Sequence, residues 1–238
     1  MKLPKTLYHS IINYLLPQRC FSCAELSQDS DGFCPQCWRD LNFITSPLCY
    51  SCGRQFTLNI EEGQVCLACI KSPPSYDMAR SLIKFDENSK GLVHALKYYD
   101  KTILARKFAQ MMSVKFSKEL KDADIIVPVP MHKLKRLLRM YNQAGVLAVE
   151  LGKALDIDVA QDVLIKKKWT RPQTLLSRKA RLTNVAGSIA IKNHDMIGGK
   201  NVILVDDVMT TGTTVGFCAR ELKKAGAARV VVVCIACT

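Results

Sequence analysis

A parallel α/β domain carrying a small cysteine-rich module at its front is the fold class this sequence predicts. Three observations carry the prediction. Short apolar runs that need no polar face alternate, after residue 75, with segments whose apolar residues recur at helical spacing. Eight of the 11 cysteines crowd between Cys20 and Cys69. Finally, the buried-strand run Val202, Ile203, Leu204 and Val205 leads straight into Asp206 and Asp207 and then into a threonine- and glycine-rich turn. A length of 238 residues and 48% hydrophobic content suit one medium domain plus something small. The expected division is an amphipathic helix over 1–19, the cysteine module over 20–70 and the α/β domain over 71–238.

The front of the chain pairs Leu7, Ile11 and Leu15 with Tyr8, Ile12 and Leu16, an amphipathic stripe that predicts a helix docked on the protein itself. It has neither a continuous apolar core nor a small-residue cleavage site, so it does not read as a secretion signal. Arg19 before Cys20 does not suit a lipoprotein processing site. No apolar run approaches 18 residues, which leaves no transmembrane segment and points to a cytoplasmic location. The net charge of +13 implies a polyanionic partner: nucleic acid, a phosphorylated ligand or acidic lipid.

The eight clustered cysteines form four CxxC blocks: Cys20/Cys23, Cys34/Cys37, Cys49/Cys52 and Cys66/Cys69. A CxxC turn aims two thiolates at one centre, and two turns complete a tetrahedral Zn²⁺ site. Ten residues separate the first two blocks and 13 the last two, with Gly53 placed to tighten its turn. Sequential pairing of the blocks is the first reading, and crossed pairing of first with third and second with fourth is the alternative. Closed Cys₄ sites leave no open coordination position, so the metal is structural, one or two ions per chain. So short a module has little core, and zinc supplies roughly 10–16 kcal/mol per site to fold it. Cys218 falls on the apolar face of a helix and reads as core. Cys234 and Cys237 also have CxxC spacing but close an extended run with no second block nearby.

Beyond the linker Lys71, Ser72, Pro73, Pro74 and Ser75, residues 78–85 predict a strand, and 91–99 and 103–116 two helices. Residues 124–130 predict a buried strand that stops at proline, where a functional loop begins. A helix over 142–155, short strands over 163–166 and 188–191, the strand 202–205, a helix over 213–225 and a strand over 230–235 complete the series. Ligands of such sheets sit beyond the carboxyl ends of the strands. The loops at Pro130, Met131 and His132 and at Asp206 to Thr214 both lie there and can face one ligand.

The second loop has the parts of a sugar-phosphate site. Amides and hydroxyls of Thr210, Thr211, Gly212, Thr213 and Thr214 at a helix start suit a phosphate. Asp206 and Asp207 suit ribose hydroxyls or Mg²⁺. The run 202–214 resembles the motif by which type I phosphoribosyltransferases bind phosphoribosyl pyrophosphate (PRPP). Further segments resemble the ComF family of cytosolic competence proteins: 127–132, 139–144, Leu96 to Tyr98, and Thr170, Gln173, Leu176, Arg181 and Asn184. That family joins an N-terminal cysteine module to a phosphoribosyltransferase-like domain, and the likeness spans Cys20 to Thr238. Met140 stands where the family usually has Gly, and Cys237 where it usually has Arg. The resemblance implies that 128–132 is the pyrophosphate-side loop and 171–181 a flexible hood.

Between Lys133 and Arg181 stand twelve basic residues against four acidic ones. Lys133, Lys135, Arg136, Arg139, Lys166, Lys167, Lys168, Arg171, Arg178, Lys179 and Arg181 are the candidate contacts for single-stranded DNA, with Lys153 completing the twelve. Trp169 can stack a base. His132 is the one candidate acid/base, although a loop histidine more often binds phosphate or solvent. The functional expectation is a competence protein of DNA uptake that binds single-stranded DNA and, with Mg²⁺, PRPP, alongside other DNA-uptake proteins. A working phosphoribosyltransferase with an unidentified nitrogenous acceptor is the alternative, and a zinc-bearing scaffold with a relic site is the plainest.

Overall fold

The computed structural model describes residues 19–20, 22–26, 32–58, 60–98, 101–131, 141–167 and 188–238, and the backbone alone over 94–98 and 101–102. The amphipathic helix expected over 1–19 lies essentially outside the described residues. So do His132, Lys133, Lys135, Arg136, Arg139, Lys168, Trp169, Arg171, Arg178, Lys179 and Arg181.

Two short helices, α1 (Pro35–Arg39) and α2 (Leu67–Lys71), each follow a CxxC cysteine that precedes them as N-cap, Cys34 and Cys66. The larger domain then runs β1 (Met78–Lys84), α3 (Glu87–Tyr98), α4 (Lys101–Lys115), α5 (Ser117–Leu120), β2 (Ile125–Pro128) and α6 (Gln143–Leu155). After these come β3 (Leu164–Lys166), β4 (Ile189–Ile191), β5 (Asn201–Met209), α7 (Thr213–Lys224) and β6 (Arg229–Cys237). The main sheet has the order β1-β6-β5-β2, and every pairing in it is parallel.

Alternation along β5 explains why its run is apolar throughout. Ile203 and Val205 join the core with Phe108 and Met112 of α4 and Leu147 and Leu151 of α6. Val202 and Leu204 join Val215, Cys218, Ala219 and Leu222 of α7 on the other face. Cys218 is thus core, as its helical spacing indicated, and Cys234 is buried with it.

Two expectations are corrected by the structure. Residues 163–166 and 188–191 do not extend the parallel sheet: β3 and β4 pair antiparallel with each other, Ile165 opposite Ala190, as a separate ribbon. And β5 does not stop at Val205. It pairs with β6 through Asp206 opposite Cys234 and on to Met209 opposite Cys237, so the carboxylates belong to the strand and not to the turn after it. Periodicity cannot see this, because the acidic residues break the apolar pattern while the backbone ladder continues. Among the described residues no helix is long and apolar enough to cross a membrane.

The cysteine module packs along the outer edge of β1. Ile44 N–H donates to Leu82 O at 2.9 Å, Lys84 N–H to Asn42 O at 2.8 Å, and Ala79 N–H to Ser51 O at 2.7 Å. Buried Arg80 donates to Tyr50 O at 3.1 Å and pairs with Glu119 at 3.1 Å. Phe33, Trp38 and Phe43 stack with centroids 5.8 and 5.3 Å apart, and Phe33 meets Phe108 of α4 at 6.4 Å.

Gly53 is where this docking is tightest. Its φ is +69°, and an added Cβ would lie 2.3 Å from Ala79 O. Gly53→Ala therefore meets backbone strain of about 1–2 kcal/mol and a backbone clash besides. At about 2–4 °C per kcal/mol for a chain this long, scanning calorimetry should show the melting temperature fall by at least about 4 °C. An unchanged melting temperature would refute the close approach.

Candidate functional site

The four CxxC blocks close sequentially. Cys20, Cys23, Cys34 and Cys37 gather their sulfurs within 4.8 Å of one another, and Cys49, Cys52, Cys66 and Cys69 do the same. Crossed pairing is excluded by this geometry. The donor sets fit Zn²⁺ closely. A tetrahedron with zinc–sulfur bonds of about 2.3 Å has edges of about 3.8 Å, and Cys23 Sγ to Cys34 Sγ and Cys52 Sγ to Cys66 Sγ are both 3.8 Å. Backbone amides turn toward the sulfurs: Ser22 N–H toward Cys20 Sγ at 3.4 Å, and Cys66 N–H toward Cys49 Sγ at 3.3 Å. Burial opposes ionisation of Cys20 and Cys49, but the amides prevail and bring them down to about 6 and about 7. Burial instead pushes Cys37 up to about 12 and Cys69 up to about 11. Among the described residues these are the two clusters of three or more His, Cys, Asp or Glu ligands close enough to share a metal ion; Cys234 and Cys237 are not part of one.

The carboxylate loop forms at the top of β5. Asp207 N–H donates to Asp206 Oδ1 at 3.0 Å and Val208 N–H to Asp207 Oδ1 at 2.8 Å, which fixes both side chains against their own backbone. The chain then turns through Thr210 and Thr211 to Gly212, whose φ of +69° lets it cap α7 without a side chain. The last residue holds this turn down: Thr238 Oγ1 donates to Thr210 O at 3.0 Å and Thr238 N–H to Met209 O at 3.2 Å. Thr211 and Thr213 share a hydroxyl hydrogen bond of 2.8 Å. Asp206 and the segment Val208 to Val215 enclose a cavity of about 40 Å³. The N-cap residue of α7, Gly212, makes no side-chain cap, so the first-turn amides and dipole favour an oxyanion in that cavity.

Asp206 is the electrostatically stressed member of the pair. Burial first, and then the negative charge of Asp207, raise its carboxyl well above the usual carboxylate range, while Lys166 draws it the other way. Lys166, on β3, is half-buried and acts on this carboxylate, whereas Lys167 is exposed. One ribbon therefore serves the loop site with its first lysine and solvent with the next. On the facing side, Val129 N–H donates to Val205 O at 2.8 Å, and Asn142, the N-cap of α6, donates its side-chain amide to Val129 O at 3.0 Å. These bonds carry Pro130 and Met131 out of β2 beside the top of β5. Sequence patterns gave no sign of Asn142 and Thr238 as supports of the two loops, because both act through contacts distant along the chain.

Comparison with known proteins agrees with this anatomy. Residues 11–70 match the double zinc ribbon domain, and residues 141–237 match the phosphoribosyl transferase domain. Competence protein F of Haemophilus influenzae is 30% identical over 216 residues, covering 87% of this chain and 92% of that protein. Competence protein ComFC of Bacillus subtilis is 28% identical over 213 residues, 85% and 82% of the two chains. DNA utilization protein YhgH of Escherichia coli is 26% identical over 221 residues, 91% and 88%.

Two outcomes follow from the geometry. Protein purified without added zinc should carry close to two ions per chain by elemental analysis; one or none would overturn the two-site assignment. Asp206→Asn should raise the stability of the ligand-free protein at neutral pH. The folded-state pKa of this carboxyl lies above its unfolded value of about 3.9. The ionised form is therefore the one that folding disfavours, and stability is lost as pH rises from the unfolded pKa through the folded one. Denaturant titration at pH 7.5 should show a higher midpoint for the variant, and a lower one would contradict the assignment.

Proposed function

This chain belongs to the competence protein F family, and we propose that it is a DNA-uptake protein that binds single-stranded DNA and PRPP. The observation that carries the PRPP half is the cavity in which Asp206 and the Thr210 to Thr214 loop meet the start of α7. The 5′-phosphate takes the loop amides and the threonine hydroxyls. Asp206 and Asp207 accept from the two ribose hydroxyls, which are charge-assisted bonds worth roughly 1.5–3 kcal/mol each. A donor or a Mg²⁺ ion brought to Asp206 restores the ionised form that the empty site disfavours, so ligand binding repays the desolvation of that carboxylate. The pyrophosphate lies toward Pro130 and Met131, with His132 next along the chain, and carries the Mg²⁺.

The DNA half is supported by the net charge of +13 and by the competence and DNA-utilization proteins among the relatives. The strand is bound through Lys133, Lys135, Arg136, Arg139 and the basic residues from Lys166 to Arg181, with Trp169 stacking, in the cytoplasm and alongside other DNA-uptake proteins. A second reading, transfer of ribose 5-phosphate from PRPP to a nitrogenous acceptor, is favoured by the presence of both carboxylates and every residue of the threonine loop. Pyrophosphate release with a panel of bases separates the two readings.

Calorimetry should show PRPP with Mg²⁺ binding to the wild type and no binding to the Asp206→Asn, Asp207→Asn double variant, with Thr211→Val weakened more modestly. Unchanged affinity in the double variant refutes the site. Single-stranded DNA should bind with little sequence preference. If about four to six phosphates are neutralised, log K falls against log salt with a slope near −3 to −4, from roughly 0.7 per phosphate. The absence of salt-dependent binding to any oligonucleotide removes the DNA half and leaves the enzyme reading.

A further inference from the structure

The threonine loop has two sides. One encloses the cavity described above. The other forms the end of a separate cleft of about 370 Å³ between the second zinc ribbon and α7, bounded by Thr211 to Thr213, Phe217 and Arg220 on one wall and by Arg54, Pro73 and Tyr76 on the other. This volume lies in the range of small-ligand sites. None of the described residues lining it is acidic.

Tyr76 gives the cleft its chemistry. The residue is only 8% exposed, packed into the core beside Ala79 and Cys234. Its hydroxyl opens on the cleft, 3.7 Å from where a side chain on Gly212 would begin. With its ring held in the core, the phenol offers that hydroxyl from a fixed position as a donor to whatever enters the cleft. Opposite stands a flat, cationic surface: the Arg220 guanidinium lies over the Phe217 ring at 4.4 Å. Arg220 approaches Glu221 only at 3.9 Å, while that carboxylate is already paired with Lys224 at 2.9 Å. The guanidinium therefore remains available to an outside anion. Arg54 stands beside Cys52 and Cys69, whose tetrathiolate carries net negative charge when metal-loaded, and offsets it there.

A phosphate donor at one end and an aromatic–guanidinium plane along a wall are the two halves of nucleotide recognition on a single strand. Building on the single-stranded DNA reading above, we propose that this cleft seats one nucleotide of the bound strand. Its base stacks on the Phe217–Arg220 pair, and its phosphate meets the Tyr76 hydroxyl and the outer side of Thr211 to Thr213. The strand then crosses from the zinc ribbon to the back of the loop whose inner side faces the sugar-phosphate cavity.

The test is fluorescence anisotropy of a labelled oligo(dT) with the full, zinc-loaded chain, titrated with salt. Tyr76→Phe keeps the ring and removes the hydroxyl. It should weaken binding by about tenfold or more, from the value of a hydrogen bond to a charged group, while the melting temperature stays level. Arg220→Gln should weaken binding and flatten the salt slope by about 0.7. Lys121→Gln, which removes a charge from an exposed turn away from the cleft, is the control for general electrostatics and should do less. If the wild type binds and Tyr76→Phe and Arg220→Gln behave no differently from Lys121→Gln, the cleft is not on the strand's path and this proposal alone falls. If the wild type binds no oligonucleotide, the DNA reading falls and takes the cleft with it.

Discussion

The outer edge of β1 is the constraint on which the rest of the structure depends. A parallel sheet ends in a strand with unpaired amides and carbonyls, and such an edge invites association with other chains. Here the zinc module supplies the missing partners: Asn42 and Ile44 bond along Lys84 and Leu82, and Ser51 bonds to Ala79. Arg80 adds a buried link from the same strand to Tyr50 and Glu119. The module in turn has no core of its own worth the name. It contributes Phe33 and Leu41 to one face of the sheet and Ile44 to the other. Zinc fixes the loops that cap the edge, and the edge gives the loops something to pack against. Removing either leaves polar backbone exposed that the other was satisfying.

That dependence reaches the functional loop. β6 lies between β1 and β5, and Thr238, directly after it, fastens the loop through Thr210 and Met209. The linker from the second ribbon delivers Tyr76 beside Gly212. The threonine loop is thus supported from behind by elements that the docked module orders. Asp206 shows the opposing demand. The strand carries it into the sheet next to Asp207 and the buried thiols Cys218 and Cys234, where burial and the neighbouring carboxylate disfavour its charge. Stability is given up at that position, a local conflict of the kind expected where a chain serves something other than its own folding.

Much of this was legible in the chain because local physics dictates it. The four CxxC blocks specify a zinc module, since thiolate pairs at that spacing have few other uses in a short polar segment. The unbroken apolar run Val202 to Val205 specifies a strand buried on both faces, and Val215, Cys218, Ala219 and Leu222 a helix packed on one of them. Gly212 and the threonines announce a tight turn into α7, where Gly212 takes the positive φ that a side chain would resist.

What the sequence by itself determined, then, was the identity of the two modules, a double zinc ribbon and a phosphoribosyl transferase domain. Tertiary structure alone decided how the cysteine blocks pair, since spacing permits both sequential and crossed sets and only the chain path brings four sulfurs within 4.8 Å. It decided that Asp206 and Asp207 lie within β5, because a ladder partner, Cys234, overrides the break in hydrophobic pattern. It decided that β3 and β4 leave the main sheet, a matter of pairing that short apolar runs do not encode. And it assembled the Tyr76–Arg220 cleft from segments some 140 residues apart in number, which no local pattern foreshadows. Local composition sets what a residue is able to do; long-range backbone pairing sets which residues do it together.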